Sequence, residues 1–500
     1  MNKTFLLLLI SLLFISCKSN TDSKGPPNII LILTDDQGWG DLGFNGNKDL
    51  QTPNIDKIAE SGVKFDRFFV SPVCSPTRAE ILTGRHHVRT GVYDVSLGGE
   101  RININEETMA DLFKSSGYKT AVYGKWHNGM QAPYHPNSRG FDEFYGFCSG
   151  HWGNYFNPVL EKNGELVKGS GFITDDLTNH GIEFIKKNKD NPFLLYMPFN
   201  TPHSPMQVPD KYWDRFKNID LTQKGTLSKT PDDKYSGINN KDENHSKAAL
   251  AMSENIDWNV GRIIKTLKSL KIFENTIIIY LSDNGPNGHR WNGGMKGIKG
   301  STDEGGTRSP MIISWKGNIP EGKQVNKIAS AIDLLPTLID LTGIKSKPNN
   351  KLDGLSLRQL IYQEDISWPD RYIYSYWRGE LSLRSQEFRL DNKNRLYKMK
   401  EDPNQLKNVS TSYKETFDVM TEAKIKWENE LLINIKTKDK RAFMIGHPDL
   451  KNTQIPARDA KSNGLIKRSN YYPNCSYMTN WVNIDDFITW DAEVAEDGKF

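Results

Sequence analysis

The sequence predicts an α/β fold, a mostly parallel sheet covered by helices on both faces, followed by a smaller C-terminal α+β subdomain. Two observations carry this. From Asn28 onward, short apolar runs alternate with segments of helical period. After Trp368 that alternation gives way to closely spaced strand-like runs. The strand candidates are residues 28–33, 120–123, 192–199, 276–281 and 311–315, rich in β-branched or aromatic residues and bounded by turn residues. Helices are expected at 52–61, 108–116, 174–188, about 247–270 and 331–342. The polar stretch 225–244 reads as a surface insertion. In the second part, 372–377, 381–391 and 395–399 read as antiparallel strands and 412–433 as a helix. The tail then shows little periodicity until a strand-like run at 490–500.

Five hundred residues, 37% hydrophobic and 25% charged, provide for a large core and exclude a disordered chain or a stapled mini-protein. With 65 basic and 61 acidic residues the net charge is +4, without the excess that a nucleic-acid partner demands. Charge must therefore act locally. Four cysteines, Cys17, Cys74, Cys148 and Cys475, are too scattered for a disulfide framework or a C-x-x-C metal site, although Cys148 and Cys475 could pair in an oxidising compartment. Residues 1–17 read as an export signal: Lys3, an apolar run over 5–15 too short to span a bilayer, then Ser16-Cys17. That ending resembles a bacterial lipobox, with Phe14 where Leu is more usual. It implies a lipidated Cys17 and an exported outer-membrane lipoprotein, facing the periplasm or the cell surface and touching the membrane only through its lipid; ordinary signal cleavage is the alternative. The expected organisation is leader 1–17, tether 18–27, catalytic domain 28–368, C-terminal subdomain 369–440 and extension 441–500.

In an open parallel sheet, ligands bind beyond the carboxyl ends of the strands. There the sequence places Asp35-Asp36, Lys125-Trp126-His127, Thr201-Pro202-His203 and Asp283-Asn284. Asp35, Asp36, Asp283 and Asn284 offer only oxygen ligands, which suits calcium or magnesium better than zinc. Each pair also suits a turn or helix cap. Ser75 as N-cap, Pro76 at the first helical position and Gly84 past the end predict a short helix with Cys74 just before it. Free backbone N–H groups there favour an anion, and Arg78 one turn in adds a guanidinium. Cys74 could be an acidic nucleophile or a small buried residue.

Cys74-Ser75-Pro76-Thr77-Arg78 with Leu82-Thr83-Gly84-Arg85 resembles the signature of type I, formylglycine-dependent sulfatases of the alkaline phosphatase superfamily, in which the cysteine of C-x-P-x-R is oxidised to 3-oxoalanine. Thr34-Asp35-Asp36-Gln37-Gly38, Thr52-Pro53-Asn54-Ile55-Asp56, Gly124-Lys125-Trp126-His127, Thr201-Pro202-His203, Ser282-Asp283-Asn284-Gly285, and Lys299 with Glu304-Gly305-Gly306 are similar to further motifs of that family, in the expected order from residue 28 to about 402. The resemblance implies a mixed, mostly parallel sheet sandwiched by helices and one calcium ion, with magnesium less expected, held by Asp35, Asp36, Cys74, Asp283 and Asn284. It implies a formylglycine gem-diol attacking the sulfur of a sulfate ester, with Arg78 and His127 steadying the diol. Lys125 and Lys299 would grip sulfate, and His203 would donate a proton to the leaving oxygen. A formylglycine-generating or anaerobic sulfatase-maturating enzyme is then a required partner.

His86, His87, Arg89, His151, Trp152, His289, Arg290 and Trp291 lie near these motifs and are cationic or aromatic, which suits an anionic sugar. With the leader, this resembles the exported sulfatases that Bacteroidetes use on sulfated polysaccharides, and a marine algal glycan is the expected target. A phosphodiester or phosphonate monoester hydrolase of the same superfamily, and an inactive glycan-binding lipoprotein, are the alternatives.

Overall fold

A computed structural model of the chain describes residues 25–225, 243–363, 367–432, 435, 439 and 441–498. The expected leader with Cys17, most of the tether and most of the 225–244 insertion lie outside the described residues. No helix among the described residues is long and apolar enough to cross a membrane.

One 10-stranded sheet contains β1 (Asn28–Thr34), β2 (Val63–Phe65), β3 (Lys119–Lys125), β4 (Glu143–Phe147), β5 (Val159–Lys162), β6 (Glu165–Lys168), β7 (Phe193–Pro198), β8 (Thr276–Ser282), β9 (Met311–Ser314) and β10 (Lys323–Val325). Their spatial order is β10-β2-β9-β8-β1-β7-β3-β4-β5-β6. The central run β8-β1-β7-β3-β4 is parallel throughout, and β9, β5 and β6 pair antiparallel at its flanks. All seven residues of β1 are buried. Ile29, Leu31 and Leu33 enter one core and Ile30 and Ile32 the other, because successive side chains of a strand point to opposite faces. This is why the run is continuously apolar.

Among the helices are α1 (Pro53–Glu60), α2 (Cys74–Thr83), α3 (Met109–Ser115), α4 (Ile173–Lys187), α5 (Glu243–Ser269), α6 (Leu334–Thr342) and α7 (Lys414–Trp427). Helices α2, α3 and α6 cover the first face, through residues such as Leu82, Phe113 and Leu338. Helices α1, α4 and α5 cover the second, through Ile55, Leu177 and Ile256.

Two local expectations need correction. Helix α2 begins at Cys74 with Val73 as its N-cap, so Cys74 is its first residue, not the one before it. Ser75 does not cap; its hydroxyl accepts from Asn128 Nδ2 at 3.2 Å. Pro76 is then the third helical residue, not the first, and is tolerated there because first-turn N–H groups lack intrahelical partners anyway. Gly84 does close the helix, at φ 67°. The run 381–391 is not one strand but two, Glu380–Arg384 and Phe388–Leu390, separated where Phe388 N donates to Ser385 Oγ at 2.9 Å.

The C-terminal subdomain is an antiparallel sheet β11 (Ile373–Trp377), β12 (Glu380–Arg384), β13 (Phe388–Leu390) and β14 (Leu396–Lys398), in sequence order. Helix α7 packs on it through Met420. Buried Glu304 ties the two units together by receiving Arg384 at 3.1 Å and Arg389 at 3.4 Å. The extension from 441 onward forms short strand pairs, such as Phe443–Ile445 with Ala492–Val494.

Candidate active site

Sheet register assembles the site. Strands β1 and β8 are parallel neighbours with Thr34 opposite Ser282, so Asp35-Asp36 and Asp283-Asn284 leave the sheet side by side. Asp283 N donates to Thr34 O at 3.0 Å, and Asp35 N to Thr201 O at 3.1 Å, which brings in the β7 loop. Strand β3 ends on Lys125, followed by His127. Asp36 and His127 sit at φ 64° and 62°, a left-handed conformation that costs a non-glycine residue free energy and concentrates at functional sites.

The charges interlock. Lys125 Nζ lies 2.6 Å from Asp35 Oδ2, and Lys299 Nζ 2.6 Å from Asp36 Oδ1. Arg78 donates to Asp283 Oδ2 through Nε at 3.1 Å and Nη2 at 2.7 Å, and to the Lys125 carbonyl at 2.6 Å. Asn284 Nδ2 donates to Asp36 Oδ1 at 2.8 Å. Each acid thus spends one oxygen on a cation. Asp35 Oδ1, Asp36 Oδ2 and Asn284 Oδ1 remain buried without a protein partner. Unpaired buried oxygens are costly, and several converging at one point are what a hard divalent cation satisfies. Ligand atoms of Asp35, Cys74 and Asp283 lie within 4.8 Å of one another, as do those of Asp35, Asp36 and His203. Burial and the neighbouring Asp35 carboxylate push Asp283 well above the usual carboxylate range, a repulsion that a cation would relieve. Burial also acts to raise Asp35, but Lys125, His203, Arg78 and Lys299 outweigh it and hold Asp35 well below that range.

Burial favours the neutral form of His203, His127 and His151. Burial, reinforced by Lys299, lowers His203 to about 4. Its Nδ1 lies 2.6 Å from the Ser204 carbonyl and must donate to it, which leaves Nε2 as a bare lone pair 3.6 Å from Asp36 Oδ2. Burial and Lys125 push His127 well below its ordinary value. His127 Nε2 donates to the Val95 carbonyl at 2.8 Å, so Nδ1, buried and unpartnered, is an acceptor. His151 stands 5.5 Å from His203, ring to ring, and burial with His203 lowers it to about 4. Cys74 itself is buried and free at the start of α2.

Residues 27–344 match the sulfatase family model, and 301–430 match the C-terminal model of N-sulphoglucosamine sulphohydrolase. This chain belongs to the sulfatase family. The sulfatase is 32% identical to the N-acetylgalactosamine-6-sulfatase of Sus scrofa over 398 residues, 72% of this chain and 70% of that one. It is also 32% identical to the uncharacterized sulfatase YdeN of Escherichia coli (strain K12) over 423 residues, 72% of this chain and 71% of that one. The crystal structure of Ps i-CgsB in complex with k-i-k-neocarrahexaose superposes with a TM-score of 0.72 at 31% identity, covering 83% of this chain and 95% of that one. The sulfatase is therefore a sulfuric ester hydrolase, and the mostly parallel sheet with its antiparallel C-terminal companion is the family architecture.

The residues expected from loops near the motifs divide. His151 belongs to the charged cluster. Trp152 stacks on Phe147 at 4.9 Å, and Trp291 meets Trp39 at 6.2 Å. Arg290 is buried and bound, by Asp41 Oδ2 at 2.7 Å and the Asp36 carbonyl at 2.6 Å, so it braces the acidic loop while also lining a pocket with His289. His289 lines a separate pocket with Leu221, Gln223 and Glu243. His86, His87 and Arg89 lie past the other end of α2, about 15 Å along the helix from Cys74. There His87 Nδ1 bonds the Val92 carbonyl at 2.6 Å, and Arg89 pairs with Asp353 and Glu430. The structure thus sets these three apart from the cluster at Cys74, with His86 and Arg89 lining a separate pocket beside Asp353, Arg371 and Trp427. Sequence reading missed Tyr155, whose hydroxyl holds the carbonyls of His203 at 2.8 Å and Ser204 at 3.0 Å, and Val95, whose carbonyl orients His127. A backbone carbonyl leaves no residue-type signal.

Proposed function

We propose that this enzyme removes sulfate esters from a sulfated polysaccharide or its oligosaccharides, a marine algal glycan being the favoured target, with Cys74 converted to formylglycine and calcium in the acidic nest. The observation that carries the reading is the convergence of Cys74, three unpartnered buried oxygens and the cations Arg78, Lys125 and Lys299 at one sheet edge. Hydrated formylglycine would supply the oxygen that attacks sulfur, and calcium held by Asp35, Asp36, Asp283, Asn284 and residue 74 would stabilise charge on the sulfate. Lys125 and Lys299, already aligned on the acids, bind sulfate oxygens without reorganising as charge develops. Arg78, fixed by Asp283 and the Lys125 carbonyl, and His127, fixed by Val95, orient the group at position 74. His203 would act as the proton donor to the leaving oxygen through Nε2, the free ring nitrogen, once that atom has taken up a proton. A glycan target is supported by the names of the relatives, an aminosugar sulfatase and a protein crystallised with a neocarrahexaose. An outer-membrane lipoprotein anchored through Cys17, matured by a formylglycine-generating or anaerobic sulfatase-maturating enzyme, completes the proposal.

The test compares 4-nitrophenyl sulfate with 4-nitrophenyl phosphate after co-expression with a maturation enzyme, with peptide mass spectrometry across Cys74. Conversion of Cys74 and a dominant sulfatase rate are expected. A dominant phosphatase rate, or an unmodified thiol in an active enzyme, overturns the reading. Chelation by EDTA should lower both Tm and rate, with calcium restoring both better than magnesium.

A further inference from the structure

Both family models end by residue 430, yet the extension beyond them is bound closely to the catalytic domain. Arg441 donates to the carbonyls of Arg101 at 2.9 Å, Gly98 at 2.9 Å and Gly91 at 3.2 Å. Arg101 answers by donating to the carbonyls of Arg441 at 2.8 Å and Ala442 at 3.2 Å, and its guanidinium lies 4.6 Å over the Phe443 ring. Together these clamp the loop 91–103, which carries Val95. The extension then returns to the same loop at the turn Pro473–Cys475.

There Asn474 Nδ2 donates to the Val95 carbonyl at 2.7 Å, the same oxygen that receives His127 Nε2 at 2.8 Å. A carbonyl oxygen has two lone pairs, so the two donors saturate it. The bond from His127 fixes its tautomer and aims the unpartnered Nδ1 acceptor inward. Gly150 packs against both side chains; a Cβ there would collide with His127 Nε2 and come within 2.6 Å of Asn474 Nδ2. Burial pushes the neighbouring Cys475 thiol up, against the charges of Lys299 and Lys125.

We propose that the extension completes the active site: Asn474 is a positioning residue that holds the Val95 carbonyl and, through it, the imidazole of His127. This rests on the sulfatase reading of Cys74. Outer partners that orient a reacting residue typically change activity by about 10- to 100-fold when removed. Asn474→Ala should therefore lower kcat on 4-nitrophenyl sulfate by about 10-fold with KM changed less than about 2-fold. Asn474→Asp keeps the shape but sets a carboxylate against the carbonyl, and should lower kcat at least as much. A purely packing role predicts instead that Asn474→Asp behaves as wild type, and that result, or wild-type kcat in a folded Asn474→Ala, overturns the proposal. Should both variants fail to fold, Asn474→Leu keeps the volume of the side chain and removes only the amide donor to Val95. A drop in its kcat at unchanged KM supports the proposal, and wild-type kcat overturns it. If wild-type enzyme with converted Cys74 shows no sulfatase turnover, the functional reading itself fails; wild-type turnover with unchanged variants removes only the role of Asn474.

Discussion

Helix α2 has an arginine near each of its ends, and the two ends do different things. At its start, Cys74 and Arg78 meet Asp35 and Asp283, which Asp36 and Asn284 adjoin, and several buried polar atoms have no protein partner. Past its finish, His86, His87 and Arg89 meet Asp353, Glu430, Tyr374, Tyr376 and Trp427, and the charges are spent on one another or on aromatic faces. Residue type does not separate the two ends. What separates them is the kind of group left unpaired: acceptor oxygens of Asp35, Asp36 and Asn284 gather at the start, where a cation can satisfy them together, whereas past the finish isolated donors such as Trp427 Nε1 lack a partner.

Variants at the two ends should therefore diverge. Cys74→Ala should reduce sulfate ester turnover to background, a loss on the order of 10⁶-fold as for removal of other catalytic nucleophiles, with Tm little changed; residual turnover within 10³-fold of wild type would show that residue 74 is not the nucleophile. Arg78→Lys retains the charge but loses the fork that grips Asp283 and the Lys125 carbonyl, so kcat/KM should fall by about 10²-fold. At the other end, Arg89→Ala should leave kcat/KM within about 2-fold on both aryl sulfate and oligosaccharides, and cost about 1 kcal/mol or less in denaturant unfolding. A tenfold rise in oligosaccharide KM would return Arg89 to the substrate.

The smallest effect concerns acid. Burial lowers His87 to about 4 in the folded chain, against about 6.5 unfolded. The unfolded chain therefore binds the proton more readily between those values, and stability present above about pH 6.5 is lost as pH falls toward 4. At pH 5 this amounts to about 2 kcal/mol for one such histidine. His87→Gln should lose less Tm than wild type between pH 7 and pH 5, with aryl sulfate turnover at pH 7 unchanged within about 2-fold. Equal losses in the two proteins would mean that His87 is protonated in the fold.

Much was legible because it is local or follows from one rule of sheet topology. The strands β1, β3, β7 and β8 fall within one or two residues of their expected bounds, since apolar runs buried on both faces leave a clear pattern. Parallel pairing then obliges Asp35-Asp36, Lys125, His203 and Asp283-Asn284 to emerge at one edge. The misreadings were of another kind. Ser75 has the composition of an N-cap but bonds Asn128 from a distant loop, and the run 381–391, regular enough for one strand, is broken by the turn that Ser385 makes with Phe388.

Residue order alone was enough to name the fold class, the oxygen-only acids and the cysteine at a helix start, because periodicity and strand-end position are properties of short segments. Which histidines face the reaction centre, which arginines are already paired, and that Asn474 reaches back across 379 residues to Val95 were settled only by packing. Those contacts depend on which polar groups the closed fold leaves without water, and no segment carries that information before the others surround it.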